Sequence, residues 1–537
     1  MRTHISRSLF KAILFKAALA LTLLSACMAG ATAQKRATYE NPAIAGDYPD
    51  PSVIRVGADY WATSTSSDWA PEFPILHSRD LVNWEVTGAV FQKRPDWSNG
   101  NYWAPEISEY RGRYFVYYVG HKKPDGPLCV AVATANRPNG PYTDHGPIIC
   151  QDDGSIDPVP VTDERGERYL VWKEDGNSRN QPTPIWAQKL SSDGTKLAGE
   201  RKELIRNDAS WEAQLVEGPF ILRRDGWFYL FYSGNACCGR ECNYALGVAR
   251  SRKVLGPWEK NPGNPILRGN ETWKCPGHGS IVSDQNGKDF LLYHAYHAGD
   301  TVYVGREALL DEVSWGKGGW PNINGGHGPT GRSASPLGAR ERNAEYLFVD
   351  EFAGPKLMPG WQWPQSSAPV ARIDASNGGW LLLSSKTTAH PGDMLAAVVA
   401  RSTTVGNYVA TTTVNLSGMK PGQFAGLSAF GDLENALGVA VGSGKVVVFK
   451  REKTVDTIVG DVDAPASNNI WLRLTAKDGH RFRFAMSTNG RDWKNVGDEM
   501  EGQYLPPWDR GVRVALTGGG AEGAVARFGS LRITPSR

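Results

Sequence analysis

Five segments of the chain repeat one pattern: "YPDPSVIRVGADYW", "APEISEYRGRYFVYY", "IDPVPVTDERGERYLVW", "EGPFILRRDGWFYLFY" and "GHGSIVSDQNGKDFLLY". Each opens with a polar residue beside Pro or Gly and runs through a short apolar stretch. It then turns at Gly57, Gly112, Gly166, Gly226 or Gly287 and continues as an aromatic-rich strand. A third strand follows each, as in "PILHSRDLVNW" and "VYVGREALLDEVSW", and several end at a Trp: Trp84, Trp258 and Trp315. A strand, glycine turn and two further strands with a closing turn make a small antiparallel sheet. Sheets of that size repeated around an axis form a β-propeller, which leaves only short edges. The pattern therefore predicts a five-bladed β-propeller over residues 40–325. A large β-sandwich gives no reason for fivefold similarity.

Aligning the repeats by the polar residue at the head of the first strand gives Asp50, Glu106, Asp157, Glu217 and His278, separated by 56, 51, 60 and 61 residues. Innermost strands line a propeller's channel, so these heads converge on one axial pocket. Crowded carboxyls cannot all ionise freely, and their pKa values are driven apart. One protonated and one ionised carboxyl on either side of a glycosidic bond is what glycoside hydrolysis needs. Where water is the direct nucleophile, the two stand roughly 6.5–9.5 Å apart.

"YPDPSVI", "IDPVPVTDERGERYLVW" and "EGPFILRRDGWFYLFYS", in order and approximate spacing, resemble the catalytic segments of glycoside hydrolase family 43. The likeness extends through "FPILHSRDLVNW", "YWAPEI", "GHGS" and "YHAY", over all five blades. It implies an inverting enzyme acting at arabinose, xylose or occasionally galactose linkages. It also implies Asp50 as the general base, Glu217 as the general acid, and an ionised Asp157 that raises the pKa of Glu217. Trp69 and Trp103 are expected as sugar platforms, with Arg306 in the glycone site and His278 bonding near the acid–base pair. His294 matches a channel histidine that in some members lies near a hydrated calcium. Glu106 is expected as a structural or substrate-contacting acid. No cofactor is required by this chemistry, with a structural calcium as an option.

Beyond "NINGGHGPTGRSASPLGARERNAE", short alternating strands run to the C-terminus. The expected order is a linker over 326–345 and then a concanavalin-like β-sandwich (jelly roll) over 346–537. "DEFAGPKLMPGWQW" resembles the domain appended to family 43 β-xylosidases and arabinofuranosidases, which walls the pocket or binds carbohydrate. The whole chain is thus expected to be all-β.

The N-terminus carries Arg2, Arg7, Lys11 and Lys16 ahead of "AALALTLLSA", a run too short to cross a bilayer. It reads as an export signal over 1–33, or as a lipoprotein signal ending before a lipidated Cys27. Expected destinations are the periplasm, the outer membrane as a lipoprotein, or the medium. The remaining cysteines are Cys129, Cys150, Cys237, Cys238, Cys242 and Cys275, an even number that suits disulfides in an oxidising compartment. A hairpin about "RPNG" would set Cys129 opposite Cys150, while "ACCGREC" with Cys275 is either disulfide-bonded or a four-thiolate metal site. Charge is nearly balanced, 59 Lys+Arg against 56 Asp+Glu, which gives no electrostatic basis for nucleic acid as a partner. The expected partner is an oligo- or polysaccharide. The expected activity is release of a terminal xylose or arabinofuranose from plant cell-wall fragments, with an endo-acting arabinanase or a non-catalytic carbohydrate-binding propeller as alternatives.

Overall fold

The computed structural model describes residues 37–339, 348–375, 378–386 and 391–536. The export signal and Cys27 lie outside the described residues. Five four-stranded antiparallel sheets, each with its strands in chain order, lie between Ser52 and Ile323, and only in the first does another strand intervene, the short Trp69–Ala70. Their innermost strands are Ser52–Val56, Trp103–Tyr110, Ser155–Thr162, Val216–Arg224 and Trp273–Ser283. Each innermost strand packs on the next, and the fifth packs on the first, which closes the ring. The turn glycine of every repeat has a left-handed backbone, with φ from 63° to 86°, a conformation that costs a side-chain-bearing residue more.

The ring closes without exchanging a strand between blades. Thr38–Glu40 instead pairs with Arg332–Ala334, and Ile44 bridges to Ala308 in the third strand of the fifth blade. Asn41 Nδ2 donates to the Leu310 and Thr330 carbonyls across the same seam. Part of the segment expected as a linker over 326–345 is therefore a clasp. Its middle residues carry backbone groups that the N-terminal strand needs as partners.

The C-terminal residues form a sandwich of a six-stranded and a nine-stranded antiparallel sheet. Asn469–Lys477 shows why: alternate residues are buried, which places Ile470, Leu472 and Leu474 in the core shared with Val439, Leu516 and Phe528. The sandwich docks on the first blade through a two-stranded pairing of Trp69–Ala70 with Trp363–Pro364. Beside it, buried Asp47 faces Arg510 Nε at 3.4 Å and Arg513 Nη2 at 3.3 Å, and accepts from the Gly511 N–H at 3.1 Å.

Candidate active site

The left-handed residue at each inner strand's head refines the alignment of the repeats. Asp50, Ala104, Asp157, Gly218 and His278 all have positive φ there, and all but His278 precede a proline. Bulges accompany them: register shifts fall between Ile156 and Val159, between Glu217 and Phe220, and on either side of Gly277. A bulge re-aims a side chain out of the strand's regular alternation, and here it turns polar residues toward the axis. Glu217 sits one residue before its blade's left-handed position, whereas Glu106 sits two residues past its own. That offset separates them. Asp50, Asp157, Glu217 and His278 line one cavity of about 650 Å³ with Trp103, Arg306, Cys237, Cys238, Trp508 and Asp509. Glu106 is not part of that lining; burial pushes its carboxyl up to about 8 against a hydrogen bond from Ser52.

Asp50 is tightly held. Arg306 Nη1 donates to Oδ1 at 2.8 Å and Thr65 Oγ1 donates to Oδ2 at 2.7 Å. The Asp50 N–H donates to His294 Nδ1 at 3.1 Å, and His278 Nδ1 stands 3.4 Å from Oδ1. Burial favours the neutral acid, but Arg306 foremost, with His278, overcomes it and holds Asp50 well below the usual carboxylate range. His278 Nδ1 also lies 4.0 Å from Asp157 Oδ2, so it stands between the two aspartates. Asp157 Oδ2 accepts the Gly218 N–H at 2.8 Å, which ties it to the residue after Glu217.

Lys173 changes the expected electrostatics of the acid. It comes from the strand Arg168–Glu174 of the third blade, its side chain almost fully buried. Its Nζ donates to Glu217 Oε2 at 2.6 Å and to Asp175 Oδ1 and Asn177 Oδ1 at 2.8 Å each. Burial alone would raise Glu217, yet Lys173 brings it below its ordinary value. Asp157 instead is pushed up to about 6, by burial and by the Glu217 charge, against the pull of His278. Lys173 thus adds a cation that the expected pairing, an ionised Asp157 raising Glu217, does not include: it draws Glu217 down, while burial and the Glu217 charge push Asp157 up.

Trp103 lines the cavity, and its Nε1 donates to Ser67 Oγ at 3.0 Å. Trp69 does not. It is buried between the domains, edge-on to Phe430 at 5.7 Å and beneath the Arg513 guanidinium at 4.2 Å. The residues around it form the strand that pairs with the sandwich, so its ring fills the docking interface. His294 is held neutral, at about 4, by burial and by Arg306. It stacks on Tyr244 at 5.7 Å, and its buried Nε2 has no protein partner. Calcium takes oxygen ligands, so an ion beside His294 would be held through its own waters and not by a set of protein carboxylates. The adjacent Asp50 carboxylate is engaged by Arg306, and no cluster of three ligating side chains occurs among the described residues.

All six described cysteines are paired: Cys129–Cys150, Cys237–Cys238 and Cys242–Cys275. The hairpin sets Cys129 and Cys150 directly opposite each other. The four-thiolate site is excluded, because disulfide sulfurs are not thiolates.

Lys173, Thr65, Trp508, Asp509 and the Cys237–Cys238 pair escaped the sequence reading. Lys173 had left a signal, a lysine inside the apolar run "YLVWKE", since a buried ammonium requires an acidic partner. Trp508 and Asp509 come from a loop of the sandwich. Ser67 Oγ donates to Asp509 Oδ2 at 2.7 Å, and Trp103 meets Trp508 edge-on at 6.0 Å.

Comparison with known proteins agrees with this geometry. The family model described as glycosyl hydrolases family 43 matches residues 39–321. A model described as the beta xylosidase C-terminal concanavalin A-like domain matches residues 349–516. The chain is 28% identical over 501 residues to xylosidase/arabinosidase 43B of Humicola insolens, covering 87% of this chain and 90% of that one. It is 29% identical over 317 residues to an extracellular exo-alpha-(1->5)-L-arabinofuranosidase of Cellvibrio japonicus, covering 52% of this chain and 86% of that one. Among solved structures, a GH43 protein of Bacillus licheniformis superposes with a TM-score of 0.80 at 24% identity, covering 93% of this chain and all of the other.

Proposed function

The chain belongs to glycosyl hydrolase family 43, and on that premise we propose that it is an inverting exo-glycosidase. Its substrates are plant cell-wall polysaccharide fragments, from which it releases a terminal xylose or arabinofuranose. The observation that carries this reading is the meeting of Asp50, Asp157 and Glu217 in one cavity, on different blades. Asp50, kept ionised by Arg306, takes the proton of the attacking water. The acid pair holds one proton, which rests on the Asp157 side and passes through Glu217 to the leaving oxygen, and Glu217 is left as the carboxylate paired with Lys173. Asp157 shares the single proton of the acid pair. Water and two carboxyls complete the chemistry, so no cofactor takes part.

Exo action is favoured over the arabinanase alternative because Trp508 and Asp509 of the sandwich wall one side of the cavity, which narrows the path a long chain would need to run through it. A carbohydrate-binding propeller would have no use for an ionised base opposite an acid pair. The three disulfides support export, and the Cellvibrio relative is described as extracellular. No helix among the described residues is long and apolar enough to cross a membrane. We place the protein in the periplasm, on the outer membrane through a lipid at Cys27, or in the medium.

Purified protein assayed on aryl β-xylosides and aryl α-arabinofuranosides decides the glycone, and activity on neither overturns the reading. Proton NMR of the first product, recorded before mutarotation, should show the anomer opposite to the substrate's. Retention, or transfer to an added alcohol, would contradict single displacement.

A further inference from the structure

We propose that the disulfide between the neighbouring residues Cys237 and Cys238 is a sugar-binding surface, an apolar platform for the C–H face of the terminal pentose. The proposal rests on the pentosidase reading above and gives that site a further specificity element.

A cross-link between adjacent residues does almost nothing for stability. The chain entropy a disulfide removes grows with the loop it closes, and here the sequence separation is one. The loop is fastened by other means. Cys242–Cys275 ties it to the fifth blade across 33 residues. The Gly239 N–H donates to Tyr296 Oη at 3.3 Å, and Arg240 Nη2 donates to Tyr303 Oη at 2.7 Å and to the Gln503 carbonyl at 3.2 Å. Stability therefore does not account for the pair, but its position does.

Both cysteines line the cavity and both are half-buried, with Cys237 packed on the apolar cluster of Leu215, Tyr244, Tyr296 and Val302. Cys237 Sγ lies 3.8 Å from Arg306 Nη1, the nitrogen that holds Asp50. The ring thus stands beside the base, where the glycone must sit for water to reach its anomeric carbon. The polar walls there, Asp50, Asp157, Glu217, His278 and Arg306, suit hydroxyl groups, while Trp103, Ile156 and Leu215 line other parts of the cavity. A pentose also has an apolar face, which the polar walls cannot match. A disulfide ring has no proton to donate, is polarisable, and has no free rotamers to lose on binding.

The test begins with an unreduced digest of the exported protein. It should yield Cys237 and Cys238 joined to each other; either one free, or joined to Cys242 or Cys275, overturns the proposal. The Cys237→Ser/Cys238→Ser variant places hydroxyls on the platform. KM for the aryl pentoside and the inhibition constant of the free pentose should each rise about tenfold, the scale of losing a small apolar contact in a pocket. The melting temperature should stay near that of the wild type. Cys237→Val/Cys238→Val keeps the surface apolar and should recover most of the affinity. Unchanged KM in the serine variant, or equal losses in both variants, overturns the platform role. A wild type inactive on every aryl pentoside removes the pentosidase reading and this proposal with it. An active wild type with an indifferent serine variant removes the proposal alone.

Discussion

The propeller and the sandwich are both all-β, yet they bury opposite kinds of residue. The sandwich core between its sheets is aliphatic and aromatic throughout, from Leu381 to Ile533. The propeller packs comparable apolar clusters between its blades, but at its axis it buries Asp50, Asp157, Lys173, His294 and Arg306. Two stacked sheets have no axis, so their inner faces meet only each other and must be apolar. A ring of sheets brings one end of five strands to a common point, and a polar residue there finds partners contributed by other blades. The sandwich reaches this chemistry through the loop carrying Trp508, Asp509 and Arg510 and through Arg513 at the head of the strand that follows.

The largest effects should therefore come from the axis. Asp50→Asn should lower turnover by about 10³-fold on every substrate, because activation of water is lost whatever the leaving group. Glu217→Gln should cost a similar factor on natural oligosaccharides and far less on aryl glycosides whose leaving group needs little protonation. Parallel losses on both substrate types in both variants would show that the blades do not divide the roles as argued.

Next comes the place where the sandwich sets buried charge against the propeller. Asp47→Asn leaves Arg510 and Arg513 facing an uncharged amide and should destabilise the protein by about 3 kcal/mol, read as a lower midpoint in urea. Burial would raise the Asp47 pKa, but the two arginines bring it below its ordinary value. A depressed carboxyl contributes stability above its unfolded pKa of about 3.9, and that contribution is lost as the pH falls through the folded value. The variant's deficit should accordingly shrink in acid. A deficit that is constant with pH would mean the interface is held by packing alone.

A third test concerns the acid pair. With Asp157 at about 6, kcat/KM should fall as the pH rises through that value, since above it the pair has no proton for the leaving oxygen. Lys173→Met removes the charge that favours the ionised pair. The alkaline limb should move to higher pH, while turnover at the optimum falls about tenfold. A merely structural lysine would leave the limb where it is.

Much of this was legible in the chain before folding. Glycine turns and aromatic strands at near-constant spacing fix the blades, and Asp50 and Asp157 declare themselves by preceding prolines at strand heads. Glu106 misleads because alignment by residue type ignores where the backbone turns left-handed: the equivalent residue is Ala104, two positions earlier. Trp69 misleads for another reason. Its fate depends on Trp363, nearly 300 residues later, and no local pattern reports which surface a second domain will cover. Trp508 and Asp509 are hidden by the same cause, since the sandwich loop gains a function only by docking.

The smallest expected effect bears on that loop. Trp508 is 62% exposed, an unusual position for so large an apolar ring, and it meets Trp103 edge-on at 6.0 Å across the cavity mouth. It is too exposed to support the fold, so Trp508→Ala should leave the melting temperature unchanged. Its removal strips one aromatic wall from the entrance, where the part of the substrate beyond the scissile bond must lie. KM should rise about threefold for an oligosaccharide, within the range of a partly exposed aromatic contact, and stay constant for a small aryl pentoside that does not reach the mouth. The contrast between the two substrates carries the argument. Equal changes in both would place Trp508 against the glycone and make the sandwich part of the same recognition surface as the blades. No change in either would leave the sandwich with the docking of Asp47 as its whole contribution to the site.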